Sequence, residues 1–114
     1  MRVEEIVVAF GLEVVAGGEN LGNEITGGYA SDLLSCVMAG AKPGSVWVTL
    51  QAHPNVVAVA ELLDLAGVII TEGMRPDVES LARAKEKGIP TLLTHESTFT
   101  VVGRLAQLGV SGSK

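Results

Sequence analysis

Ser45-Val46-Trp47-Val48-Thr49-Leu50, Val68-Ile69-Ile70 and Thr91-Leu92-Leu93 are short apolar runs separated by stretches with helical spacing. In the first run, Val46, Val48 and Leu50 face one way and Trp47 and Thr49 the other, because side chains alternate along a strand. Pro54–Leu65 reads as a helix with Pro54 near its first turn, where a missing N–H costs nothing, and Gly67 ends it. Asp77–Lys87 reads as a second helix. Asp77 caps it, Val78, Leu81 and Ala82 face inward, and Gly88 with Pro90 terminates it. Ser97 caps a last helix with Phe99, Val102, Leu105 and Ala106 on its inner face and Gly109 as its stop. Apolar strands alternating with helices predict an α/β fold, a three-layer α/β/α sandwich with a mainly parallel sheet of about five strands.

Toward the N-terminus, Arg2–Phe10 fits a helix with Val3, Ile6, Val7 and Phe10 on one face. Glu13–Ala16 is a short strand, Gly17-Gly18-Glu19-Asn20 a turn, and Glu24–Thr26 a second short strand. Asp32–Ala41 is helical, capped by Ser31 or Asp32. Between these elements lies Ile25-Thr26-Gly27-Gly28-Tyr29-Ala30-Ser31-Asp32. Its adjacent glycines allow positive φ and a close approach of backbone to a bound molecule. Residues 1–110 are expected to form a single domain, with 111–114 a flexible tail.

The 114-residue chain is 47% hydrophobic but only 4% aromatic, so its core is expected to be Val, Leu, Ile and Ala. Mean hydropathy is +0.41. Such apolar content in a small domain points to surface buried by a partner or a second copy. A net charge of −5 without a basic run disfavours nucleic acid. The longest apolar runs fall far short of a bilayer span, and Met1-Arg2-Val3-Glu4-Glu5 carries acids where a signal peptide carries bases. The expected location is cytoplasmic. Cys36 is the single cysteine. No intrachain disulfide or cysteine metal cage follows, and a buried, inert thiol is expected. Between Val56 and Leu65 only Glu61 and Asp64 are polar. That helix is either deeply buried or packed against another subunit.

Ligands of open parallel sheets bind beyond the carboxyl ends of the strands. Gln51 and His53 follow the first core strand. Thr71, Glu72 and Arg75 follow the second, and Thr94, His95, Glu96 and Ser97 the third. Thr26, Gly27 and Gly28 on the same edge would complete a polar crevice floored by glycine backbone. The candidate ligand-binding set is therefore Thr26, Gly27, Gly28, Gln51, His53, Glu72, Thr94 and His95. Helix capping and ordinary loop polarity account for several of these residues equally well. No tight His spacing supports a metal, no cofactor motif is present, and neither a G-x-x-x-x-G-K-[ST] nor a G-x-G-x-x-G phosphate motif occurs. No catalytic residue is assigned, because no activated nucleophile is evident.

The run Leu21-Gly22-Asn23-Glu24-Ile25-Thr26-Gly27-Gly28-Tyr29-Ala30-Ser31-Asp32-Leu33-Leu34, preceded by Glu13-Val14-Val15-Ala16-Gly17-Gly18, resembles the DRTGG domain. The likeness extends through Ser45–Gln51 and His53-Pro54-Asn55 to Glu96-Ser97-Thr98-Phe99, most of the chain. Such domains are regulatory or accessory parts of larger proteins, among them phosphotransacetylases and pyrophosphatases with CBS domains, and they resemble the N-terminal domain of HPr kinase/phosphorylase. The resemblance implies a three-layer α/β fold and a role in association and ligand-linked regulation. HPr kinase activity is not implied, since its phosphate loop is missing. Thr26, Gly27 and Gly28 match the last three motif positions. Gly22 and Asn23 stand where Asp and Arg would be expected, and an absent Arg removes the best fixed donor for a phosphate or carboxylate.

The sequence thus favours a non-catalytic regulatory or association module. It is expected to be homodimeric and to sense a small anionic metabolite or nucleotide. One alternative is a structural protein–protein partner without ligand, docking through the Pro54–Leu65 helix. Another is a small enzyme using His53 or His95 with Glu72.

Overall fold

The computed structural model describes residues 1–112. Its elements are α1 (Val3–Phe10), β1 (Glu13–Ala16), β2 (Gly27–Ala30), α2 (Leu34–Gly40), β3 (Ser45–Thr49), α3 (Asn55–Leu62), β4 (Gly67–Ile70), α4 (Val78–Lys87), β5 (Thr91–Leu93) and α5 (Thr98–Gln107). The five strands form one sheet in the order β1-β5-β4-β3-β2. β2 to β5 are parallel neighbours in chain order, and β1 runs antiparallel on the far edge. Right-handed crossovers that step always to the next strand in the same direction place their helices on one face. Accordingly α2, α3 and α4 pack side by side. α1 and α5 cover the opposite face, giving the three-layer sandwich.

The three central strands, β3, β4 and β5, each feed both layers. Trp47, Val68, Ile70 and Leu93 meet Val37, Val56, Ala60 and Ala84 of the crossover helices. Val46, Val48, Ile69 and Leu92 meet Val3 and Ile6 of α1 and Val101 and Leu105 of α5. All five residues of β3 are buried, which is why its run reads as continuously apolar. Gly17 lets β1 close against the segment before β5. It has φ +73°, and a Cβ there would lie 2.3 Å from the Ile89 carbonyl carbon, so no larger residue fits.

Several boundaries and faces differ from expectation. The second strand is Gly27–Ala30, not Glu24–Thr26, because pairing with Ser45–Val48 holds the glycines extended. Neither Gly27 nor Gly28 has positive φ. Ser111 and Gly112 are not a loose tail. Gly28 N–H donates to the Ser111 carbonyl at 2.9 Å, and Gly112 bridges Gly28 in parallel. Ser113 and Lys114 lie outside the described residues. In α4 the inward residues are Ser80 and Ala84, one helical turn apart, with Leu81 half-buried, whereas Val78 and Ala82 lie on the exposed face. In α5 the Ser97 cap sets the phase so that Val101 and Leu105 point in, while Phe99, Val102 and Ala106 face out. Cys36 is exposed on α2, not buried. Among the described residues no helix is long and apolar enough to cross a membrane.

The apolar helix α3 is flanked by α2 and α4 and buries Val56, Val57, Val59 and Ala60 within its own chain. Its outward residues are Asn55, Ala58, Glu61 and Leu62. Burial of Val56, Val57, Val59 and Ala60 within the chain accounts for most of the helix's apolarity, and Leu62 is its one large apolar residue left exposed. Val59→Asp is expected to place an unpaired charge in this layer and cost about 4 kcal/mol, lowering the melting midpoint by more than 10 °C or abolishing cooperative melting. Circular dichroism checks this; an unchanged melt with altered sedimentation would return α3 to an interface.

Candidate functional site

The carboxyl ends of β3, β4 and β5 share one edge of the sheet. Because β1 runs against them, its first residue, Glu13, pairs with Leu93, the last residue of β5, and arrives at that same edge. The loop from β4 to α4 folds over it. Glu72 (φ 63°) and Gly73 (φ 74°) are consecutive left-handed residues. They turn the backbone so that Glu72 N–H donates to the Glu96 carbonyl at 2.9 Å and Gly73 N–H to the Thr94 carbonyl at 3.0 Å. A Cβ on Gly73 would sit 3.0 Å from His95 Nδ1, so this glycine also makes room for the imidazole. Further along the loop, Arg75 reaches across the edge. Its Nη1 and Nη2 donate to Glu13 Oε1 and Oε2 at 3.0 and 3.1 Å, a two-pronged ion pair.

These groups enclose a cavity of about 650 Å³ lined by Phe10, Gly11, Glu13, Gly73, Met74, Arg75, Leu93, Thr94, His95 and Glu96. The volume suits a small-molecule ligand. The Arg75 hydrogen bond, assisted by the Arg75 and His95 charges, holds the Glu13 carboxyl below the usual carboxylate range. Phe10, Met74 and Leu93 offer an apolar wall. Among the described residues no Ser or Cys side chain lines the cavity. The lining thus sets one guanidinium and one imidazole beside the carboxylates of Glu13 and Glu96 and an apolar wall.

Of the residues expected from sequence, Thr94 and His95 line this cavity. Glu72 lies beside it, but its Oε2 accepts the Thr98 N–H at 2.8 Å and caps α5. That carboxylate is committed to the helix terminus, not to a histidine. Ser97 Oγ likewise accepts the Thr100 N–H at 3.1 Å. Gln51 and His53 sit at the carboxyl end of β3, on the far side of the β4–α4 loop. Gln51 Nε2 donates to the Asp32 carbonyl at 3.2 Å, and His53 Nδ1 accepts the Asn55 N–H at 3.1 Å as α3 begins.

Thr26, Gly27 and Gly28 are not part of this site. Gly27 pairs with Ser45, the first residue of β3, so the motif lies at the amino edge. Thr26 Oγ1 donates to the Pro43 carbonyl at 3.0 Å. Thr26 and Gly27 line a separate hollow of about 270 Å³ with Met1 and Ser111. Gly28 floors an apolar groove against Val102, Leu105 and Val110. Asn23 there serves the fold, donating from Nδ2 to the Ala66 carbonyl at 3.2 Å. Among the described residues, no group of three His, Cys, Asp or Glu is placed to hold a metal ion. The sequence reading missed Glu13 and Phe10 as site residues and passed over Arg75. An antiparallel first strand would have pointed to the first two, but strand order is not written in the local pattern.

The family model of the DRTGG domain matches residues 5–108. No curated protein matches the chain significantly. Among solved structures, the chain is similar to the CBS and DRTGG domains of the regulatory region of Clostridium perfringens pyrophosphatase, a structure described as complexed with the activator diadenosine tetraphosphate. The TM-score is 0.72 at 17% sequence identity, covering 93% of this chain and 46% of that one. The present chain thus spans about half the length of that region, and the likeness is one of fold.

Asp77, which closes the loop, accepts the Ser80 N–H at 2.8 Å. This bond holds its carboxyl below the usual value. A lowered folded-state value means the stabilisation is complete above the unfolded carboxylate value and is lost as pH falls through the folded one. Asp77→Asn is expected to flatten that acid limb of the melting-temperature profile below about pH 4 while leaving the neutral midpoint little changed.

Proposed function

The chain belongs to the DRTGG domain family, and from that premise we propose that it is a non-catalytic regulatory module that senses a small anionic metabolite or nucleotide at the carboxyl edge of its sheet. The observation that carries this reading is the Arg75 fork at a cavity of about 650 Å³ that also holds His95 and Phe10. Arg supplies planar donors for phosphate or carboxylate, and an aromatic wall suits a base or other ring. Binding of a nucleotide to the related pyrophosphatase region agrees with this ligand class. Thr94 and His95 serve the same pocket, and Gln51, His53 and Glu72 shape the loops around it. Thr26, Gly27 and Gly28 organise the amino edge.

Association is the second part of the reading, and α2 is the surface that supports it. From Leu33 to Ala41 there is no charged residue. Leu33 is 61% and Met38 44% exposed. On a chain of net charge −5, an uncharged helix face is where a second copy approaches with least repulsion.

A thermal-shift panel of adenine and guanine nucleotides and acetyl phosphate tests the ligand reading. A ligand at 100 times its dissociation constant adds about 2.7 kcal/mol, which raises the midpoint by about 10 °C. Arg75→Ala is expected to remove the shift without changing the ligand-free melt; silence across the panel would overturn the sensor reading. For association, Leu33→Glu with Met38→Glu is expected to convert dimers to monomers in sedimentation velocity. A wild-type chain that already sediments as a monomer would refute that part.

A further inference from the structure

We propose that Glu13 is an internal stand-in for the ligand, and that a phosphate-bearing molecule binds by displacing its carboxylate from the Arg75 guanidinium. The proposal rests on the reading that the carboxyl-edge cavity receives an anion.

The Arg75 fork holds both Glu13 oxygens, at 3.0 and 3.1 Å, in the geometry it would offer two phosphate oxygens. Both side chains remain more than half exposed, and exposed pairs of this kind hold weakly, so one anion can replace another. The two partners sit on segments able to separate. Glu13 opens an edge strand whose register slips between Val14 and Ala16. Arg75 lies in the short stretch between the Gly73 N–H, fixed to Thr94, and the Asp77 cap. The wall of the cavity selects the ligand class. A carboxylate would spend both oxygens on the fork, whereas a phosphate keeps others for His95 and Thr94, which line the same cavity. Departure of Glu13 would uncouple β1 from the β4–α4 loop, a ready means of passing ligand occupancy to a neighbouring protein surface.

The sign of the mutational effect is unusual, because removing a residue that lines the pocket should improve binding. The full chain is titrated with inorganic phosphate and the melting midpoint followed, for the wild type, Glu13→Gln, Glu96→Gln, Arg75→Lys and Arg75→Ala. Glu13→Gln is expected to lower the half-saturating phosphate concentration about three- to fivefold, the scale set by releasing an exposed ion pair. Glu96→Gln removes an equal charge from the same cavity without freeing Arg75, and its gain should be less than half as large. Arg75→Lys, which keeps the charge and loses the fork, should weaken binding, and Arg75→Ala should abolish it. Equal gains from the two Glu variants, or no gain from Glu13→Gln while Arg75→Ala still abolishes binding, would overturn displacement and leave the site in place. Wild-type affinity in Arg75→Ala, or no shift with any variant, would overturn the site and the displacement together.

Discussion

Trp47 donates its indole N–H to the Ser31 carbonyl at 2.9 Å while its ring lies wholly buried in the layer of crossover helices. Val46 and Val48, its neighbours along β3, point into the opposite layer. This strand has no solvent face, and the rest of the molecule is arranged around it. Its parallel partners β2 and β4 extend it sideways, α3 passes above it, and α5 lies below. The indole bond also fixes where the chain leaves β2. Thr49 Oγ1 and Leu50 N–H donate to the Asp32 side chain at 2.8 and 2.9 Å, tying the start of the α2 segment to the end of β3. A buried tryptophan needs a partner for its N–H, and here that need positions an entire connection.

Much of this architecture is legible in the sequence because it follows from local periodicity. The β3, β4 and β5 runs, the Asp77 and Ser97 caps, the Gly88 stop and the inner face of α1 all fall where alternation and capping chemistry place them. The faces of α4 and α5 do not. Val78 and Phe99 are apolar residues of first turns that face solvent, at 84% and 89% exposure, while Ser80 and Val101 of the same turns are buried. Local spacing alone does not settle which residues of a first turn pack and which face out. The extended Gly27 and Gly28 show the same limit in another form. Glycine permits positive φ without requiring it, and the parallel ladder with β3 decides.

The candidate site was harder to read, for a topological reason. Thr94 and His95 follow a strand, and their loop is polar, so they could be anticipated. Their companions come from elsewhere in the chain. Glu13 belongs to the first strand and Phe10 to the helix before it. Only the antiparallel pairing of β1 with β5 carries them to the carboxyl edge. The same strand directions send Thr26 and Gly27 to the amino edge, so a set that looked contiguous as polar and glycine residues is split across the whole height of the sheet. With successive strands laid down in one direction, the parallel part also has no point where the order reverses. The cavity forms instead where the lone antiparallel strand joins.

The C-terminal piece laid beside β2 has a consequence for behaviour in concentrated solution. An open sheet has two bare edges, each a template for pairing with another chain. On one side Ser111 and Gly112 already occupy the outer backbone of Gly28. On the other, β1 is four residues long, irregular in register, and begins at a charged Glu13. Neither edge presents a long, flat, apolar ribbon. The C-terminal piece and the short, irregular β1 thereby shorten the hydrogen-bonding rim that the sheet leaves open.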